Sequence, residues 1–201
     1  MIDTIIFDLG GVLIDWNPDY VFDHVFDDKD RKRYFYENIC TSAWNEEQDA
    51  GRPIKEATEM LIAQHPEWEP EILAYYGRWR EMLGGPIQPS VEILKKIKDA
   101  GTHRLYALTN WSAETFPVAL DLFDFLHWFE GIVVSGEEKT RKPFADFYQI
   151  LFDRYGVEPG RAVFIDDNLR NVQAATALGL HGVHFQSPAQ LAEELGDRNV
   201  F

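Results

Sequence analysis

The chain has 201 residues, of which 34 are acidic and 19 basic, for a formal net charge of −15 at pH 7. Such an excess of acid argues against a nucleic-acid partner, which would need clustered Lys and Arg. The single cysteine, Cys40, rules out an intrachain disulfide, and no apolar run has the length of a membrane span. Met1 to Leu13 is too short and too acidic for a secretory signal, so a cytoplasmic protein with no membrane partner is expected. The length suits one domain carrying an insertion, or two small domains.

In chain order, Ile5-Ile6-Phe7 reads as a buried strand that stops on Asp8 and is followed at once by Gly10-Gly11. Val12-Leu13-Ile14 is still apolar, and Asp15-Trp16-Asn17-Pro18 breaks the pattern. From Pro18 to Gly84 no strand is predicted. Helices are predicted over Tyr20–Phe26, Asp30–Ile39, Ile54–His65 and Pro70–Leu83 in an aromatic-rich stretch. An amphipathic helix over Val91–Ala100 closes on Gly101. Strands follow at Arg104–Leu108, Gly131–Ser135, Ala162–Ile165 and His181–Phe185, separated by helices at Phe116–Phe129, Ala145–Tyr155 and Leu169–Leu178. A last helix covers Pro188–Leu195. Alternation of this kind predicts an α/β fold: a Rossmann-like parallel sheet with helices on both faces and an inserted α-helical cap. The expected division is residues 1–15 and 86–201 for the core and 16–85 for the cap.

Three predicted strands end on polar residues: Asp8, Thr109-Asn110 and Asp166-Asp167. Taken singly, each has an ordinary explanation. Asp8 could cap a turn, Thr109-Asn110 and Asp166-Asp167-Asn168 could cap the helices after them, and Lys142 could be a solvated loop lysine. In a parallel sheet, however, these strand ends share one edge and converge. Asp8, Asp166, Asp167 and the Gly10 carbonyl would form a hard oxygen site suited to Mg²⁺. Thr109, Asn110 and Lys142 would clamp a phosphoryl group that Asp8 is placed to attack.

Phe7-Asp8-Leu9-Gly10-Gly11-Val12, Leu108-Thr109-Asn110, Arg141-Lys142-Pro143 and Phe164-Ile165-Asp166-Asp167-Asn168 together resemble the four motifs of the haloacid dehalogenase superfamily. The resemblance runs the length of the chain and is similar to its branch of sugar-phosphate phosphatases, which includes α-glucose-1-phosphate phosphatases. It implies catalysis by Asp8 as nucleophile, Thr109 on the phosphoryl oxygens and Lys142 as neutralising charge. It also implies Mg²⁺ on Asp8, the Gly10 carbonyl and Asp167, with Asp166 close by, and a small phosphorylated substrate. Gly10, Gly11, Asn110, Trp16 and Trp44 are candidate substrate contacts, with Asn45, Gln48 and Arg52 as further polar candidates in the cap and Trp111 as a further aromatic one. Phosphatases of this superfamily usually carry a second Asp two residues after the nucleophile, where this chain has Gly10. Asp15, His24 or a water could supply the missing proton. Without it, good leaving groups such as those of hexose 1-phosphates would be favoured. Two other readings stay open at this point: a 2-haloacid dehalogenase, and a phosphate-binding protein without turnover.

Overall fold

The computed structural model describes residues 1–200. The chain begins with β1 (Thr4–Phe7) and β2 (Ile14–Trp16), followed by helices α1 (Asp19–Val25), α2 (Lys29–Asn38), α3 (Ser42–Asp49), α4 (Ile54–Gln64) and α5 (Glu69–Gly77). Next come β3 (Leu83–Pro86), α6 (Gln88–Ala100), β4 (Arg104–Thr109), α7 (Phe116–Leu122), β5 (Gly131–Val134) and the single turn α8 (Ser135–Glu138). It ends with α9 (Ala145–Tyr155), β6 (Ala162–Asp166), α10 (Leu169–Ala177), β7 (His181–His184) and α11 (Pro188–Asp197).

All four residues of β1 are buried, as expected for a central strand covered on both faces. It pairs in parallel with β4 on one side and β6 on the other, in a five-stranded sheet of order β5-β4-β1-β6-β7. The chain therefore winds outward in both directions from β1. The crevice beyond its carboxyl end is where open sheets of this kind bind ligands. Phe7 is in register with Ala107 and Ile165, which brings Asp8, Thr109 and Asp166 to that same edge.

A second, antiparallel ribbon joins β2 to β3, and the five helices α1 to α5 lie between its strands. Between Pro18 and Met82 no strand forms, as expected; the ribbon at the two ends of that stretch was not predicted. Both strands are three or four residues long, and Leu83-Gly84-Gly85-Pro86 reads locally as a turn; its pairing partner is some seventy residues away in sequence. The polar helix α3 was also unforeseen. Its start is marked by Thr41, whose hydroxyl accepts from the Trp44 N–H at 3.1 Å, an ordinary N-cap. The helix expected over Pro70–Leu83 stops at Gly77 and gives way to a 3₁₀ turn over Trp79–Met82. The one expected over Phe116–Phe129 splits in the same way after Leu122. Among the described residues, no helix is long and apolar enough to cross a membrane.

The helical insertion has an aromatic centre. The Phe22 ring lies 5.0 Å from Phe35, 5.7 Å from Tyr36 and 5.9 Å from both Phe26 and Tyr75. Removing it leaves a void lined by rings that cannot collapse together. Phe22→Ala is expected to lower stability by about 3–5 kcal/mol, read from the urea midpoint. Leu73→Ala, at a half-exposed position, should change it by less than about 0.5 kcal/mol.

Candidate active site

The centre of the site is Lys142, whose side chain is fully buried. Its Nζ lies 2.9 Å from Asp8 Oδ1 and 2.7 Å from Asp166 Oδ2. The backbone of Lys142 is held from β4: its N–H donates to Asn110 Oδ1 at 2.8 Å, and its carbonyl accepts from Asn110 Nδ2 at 3.0 Å. The Asn110 carboxamide is therefore engaged in positioning the lysine loop, although Asn110 also lines the cavity described below.

Asp166 is enclosed by donors. Its Oδ1 accepts from the Asn168 N–H at 2.7 Å, and both oxygens lie within 3.1–3.2 Å of Asn171 Nδ2. Asp167, one residue on, is exposed. One oxygen from each of Asp8, Asp166 and Asp167 falls within 4.8 Å of the others. Three carboxylates thus face one ammonium, leaving two negative charges uncompensated. The protonation equilibria respond accordingly. Burial, followed by the charges of Asp166 and Asp167, raises the Asp8 carboxyl against the pull of Lys142. Partial desolvation at the cavity wall and the Asp166 charge raise Asp167. Burial alone would lower Lys142, but Asp166 and Asp8 outweigh it, so the ammonium stays charged.

The two glycines after Asp8 differ. Gly11 has φ +73° and its N–H donates to the Ile14 carbonyl at 2.9 Å, so that donor is not free for a ligand. A Cβ there would sit 2.4 Å from Asp167 Oδ2; only glycine lets that carboxylate approach. Gly10 is outside the left-handed region, and a Cβ on it would meet nothing within 4 Å. Two buried polar atoms at this edge have no partner: the Thr109 hydroxyl and Trp111 Nε1.

A cavity of about 220 Å³ opens beside the cluster. The core contributes Asp8, Gly10, Gly11, Asn110, Trp111, Ser112, Thr115 and Asp167 to its wall. The other side consists of Trp16 from β2 and Asn45, Asp49, Tyr76 and Trp79 from the insertion. Trp44 is not in this wall. It packs on Tyr75 and Tyr76 at ring distances of 5.4 and 5.6 Å, so the structure corrects it from a substrate contact to part of the insertion's packing. Gln48 and Arg52 bond to each other (2.7 Å) rather than lining the cavity. Asp15 accepts from the Tyr20 hydroxyl at 2.5 Å and His24 is exposed; neither reaches the cavity as a substitute proton donor. Asp49, Tyr76, Trp79, Ser112 and Thr115 were not anticipated. The available signal was the spacing of Asn45 and Asp49, four residues apart on one helix face.

A family model described as haloacid dehalogenase-like hydrolase matches residues 2–179. The sesquiterpene phosphatase astK of Aspergillus oryzae is 27% identical over 190 residues, covering 94% of this chain and 93% of its own. The pyrophosphatase PpaX of Bacillus pumilus is 24% identical over 184 residues, covering 89% and 80%. Among solved structures, a HAD family enzyme from Bacteroides thetaiotaomicron in complex with magnesium and inorganic phosphate superposes with a TM-score of 0.71. It is 21% identical over 92% of this chain and 95% of that one, a likeness of fold.

Burial pushes the Asp49 carboxyl up to about 7, with a further rise from Glu46; Arg141, the Ser112 backbone and Lys142 pull the other way. Between the ordinary carboxyl value and this raised one, the folded chain holds a proton that the unfolded chain has released. Stability therefore falls as pH rises through that window. Asp49→Asn, which cannot ionise, should be more stable than the parent at pH 8, and the advantage should vanish near pH 4. Urea unfolding at several pH values measures both.

Proposed function

Because the chain belongs to the haloacid dehalogenase-like hydrolase family, we propose that its acidic cluster is the phosphoryl-transfer centre of a phosphatase. It would act on small phosphomonoesters through an aspartyl-phosphate on Asp8. The observation that carries this reading is the buried Lys142 held between Asp8 and Asp166, in a cluster whose Asp8 and Asp167 line an open cavity.

Two uncompensated charges on hard oxygen donors fit a divalent cation such as Mg²⁺. Asp8, Asp167 and the Gly10 carbonyl would hold it, since the Asp166 oxygens are already turned to Lys142, Asn168 and Asn171. Bound there, the cation would screen phosphoryl charge and let the Asp8 carboxylate approach phosphorus. Lys142 orients Asp8, favours its ionised form against burial and adds a fixed positive charge. The Thr109 hydroxyl, buried without a partner, is free to donate to a phosphoryl oxygen. The helical insertion serves as the cap, closing the cavity over the reacting groups.

The cavity is small for a ligand pocket. Its wall combines the aromatic faces of Trp16, Trp79 and Trp111 with the polar groups of Asn45, Ser112 and Thr115. A sugar offers both an apolar ring face and hydroxyls, which favours a hexose phosphate, and a hexose 1-phosphate has the better leaving group. Relatives with pyrophosphatase and sesquiterpene phosphatase names make inorganic pyrophosphate and a prenyl phosphate the informative competitors. Carbon–halogen displacement uses no cation and leaves the two excess charges of the cluster without a purpose.

Phosphate release from a panel of these esters is the test. Hexose 1-phosphate should be the best substrate. Chelation should abolish turnover, and Mg²⁺ but not Ca²⁺ should restore it. Asp8→Asn should keep the fold and release no phosphate. Chloride release from a 2-chloroacid in excess chelator would replace this reading with the dehalogenase one.

A further inference from the structure

With Gly10 in place of an acid, the leaving oxygen has no proton donor beside the nucleophile. Among the described residues, the carboxylates lining the cavity are Asp8, Asp167 and Asp49, and no histidine lines it. The first two belong to the cluster around Lys142. Asp49 stands apart from it, at the end of α3 in the insertion, and forms no ion pair.

We propose that Asp49 is the acid–base residue of this site, contributed by the helical insertion in place of the missing carboxylate at position 10. The assignment rests on the phosphatase reading above. In the first step an Asp8 oxygen bonds to phosphorus and the ester P–O bond breaks. Its electron pair stays on the leaving oxygen, which takes the Asp49 proton. In the second step a water oxygen bonds to phosphorus while the Asp49 carboxylate takes a proton from that water. The P–O bond to Asp8 breaks, restoring the Asp8 carboxylate and the Asp49 acid. The sum is ester plus water giving alcohol plus phosphate.

The surroundings of Asp49 suit this. Asn45 Nδ2 donates to its Oδ2 at 3.2 Å, and Asn45 Oδ1 in turn accepts from the Tyr76 hydroxyl at 2.9 Å, so the carboxyl is oriented by a chain of bonds within the insertion. The Asp49 carbonyl accepts from Ser135 Oγ at 2.5 Å, which ties the end of α3 to the core. The ionisable groups around it are Glu46 on its own helix, Arg141 and Lys142 from the loop before α9, and Tyr75 and Tyr76 from α5. Burial prevails over the two cations, so the carboxyl holds its proton up to about pH 7, as a donor at neutral pH requires.

The test compares an alkyl phosphate, whose alcohol needs a proton to depart, with a nitrophenyl phosphate, whose phenolate does not. Asp49→Asn should cut first-turnover release of the alcohol by about 10²–10⁴-fold while leaving the nitrophenolate burst within about tenfold of the parent. Steady-state turnover of both should slow, because the water step has lost its base. A variant that loses both bursts equally, or neither, overturns the assignment. Should the variant fail to fold, the unaltered enzyme decides. Its kcat/KM for the alkyl ester should decline above about pH 7, and its nitrophenolate burst should not. Parallel profiles overturn the assignment. If the unaltered enzyme releases no phosphate from either ester, the phosphatase reading falls and this one falls with it. Activity on both with parallel profiles sinks the Asp49 assignment alone.

Discussion

The structure depends on one buried ammonium. Taking Lys142 out of water is costly, and only opposed charge in good geometry makes it tolerable. Asp8 and Asp166 provide that charge from the ends of two adjacent strands, which requires β1 and β6 to be in register and the loop before α9 to reach over both. Asn110 clasps both backbone polar groups of Lys142 from β4, so three strand ends and one loop are fixed by a single side chain. With three carboxylates gathered around that one ammonium, the cluster carries an excess of negative charge.

The helical insertion is tied to this same region. Glu46 on α3 pairs with Arg141, the neighbour of Lys142, and with Arg170 on α10, both at 3.0 Å. Arg141 Nε also donates to the Glu46 carbonyl at 3.1 Å. Trp79 meets Trp111 edge to face at 5.4 Å. The segment carrying Asn45 and Asp49 is thus anchored beside the loop that carries the lysine. Exposed ion pairs contribute little stability, but Arg141 is mostly buried, and its contacts fix where α3 sits. Polar and aromatic groups from the insertion and charge from the core then meet in one cavity.

Much of the core was legible because its signals are local. Ala145–Tyr155 could be read directly from its periodicity, and the unbroken apolar runs of β1, β4 and β6 announced strands buried on both faces. The ribbon of β2 and β3 was not legible, since neither short strand has a pattern of its own and each is a strand only by virtue of the other. Helix α3 was missed because its exposed, polar face dilutes the helical period. Trp16 and Trp44 were indistinguishable as residues; the first lines the cavity and the second packs on Tyr75 and Tyr76.

By itself the sequence determined that a parallel α/β sheet would form and that Asp8, Thr109 and Asp166-Asp167 would end its strands on one edge. Hydrophobic runs and their spacing dictate strands, and parallel strands align their ends. Tertiary structure alone decided which carboxylate would stand apart from the cluster. Asp49 reaches the cavity through contacts between residues as far apart in sequence as Asp49 and Ser135, or Glu46 and Arg141. No local pattern encodes such pairings, because they arise only when two surfaces distant in sequence, the insertion and the sheet edge, are packed together. The pairing of β1 with β6 likewise brings Asp167 against Gly11, where the absence of a side chain matters only because of what lies opposite.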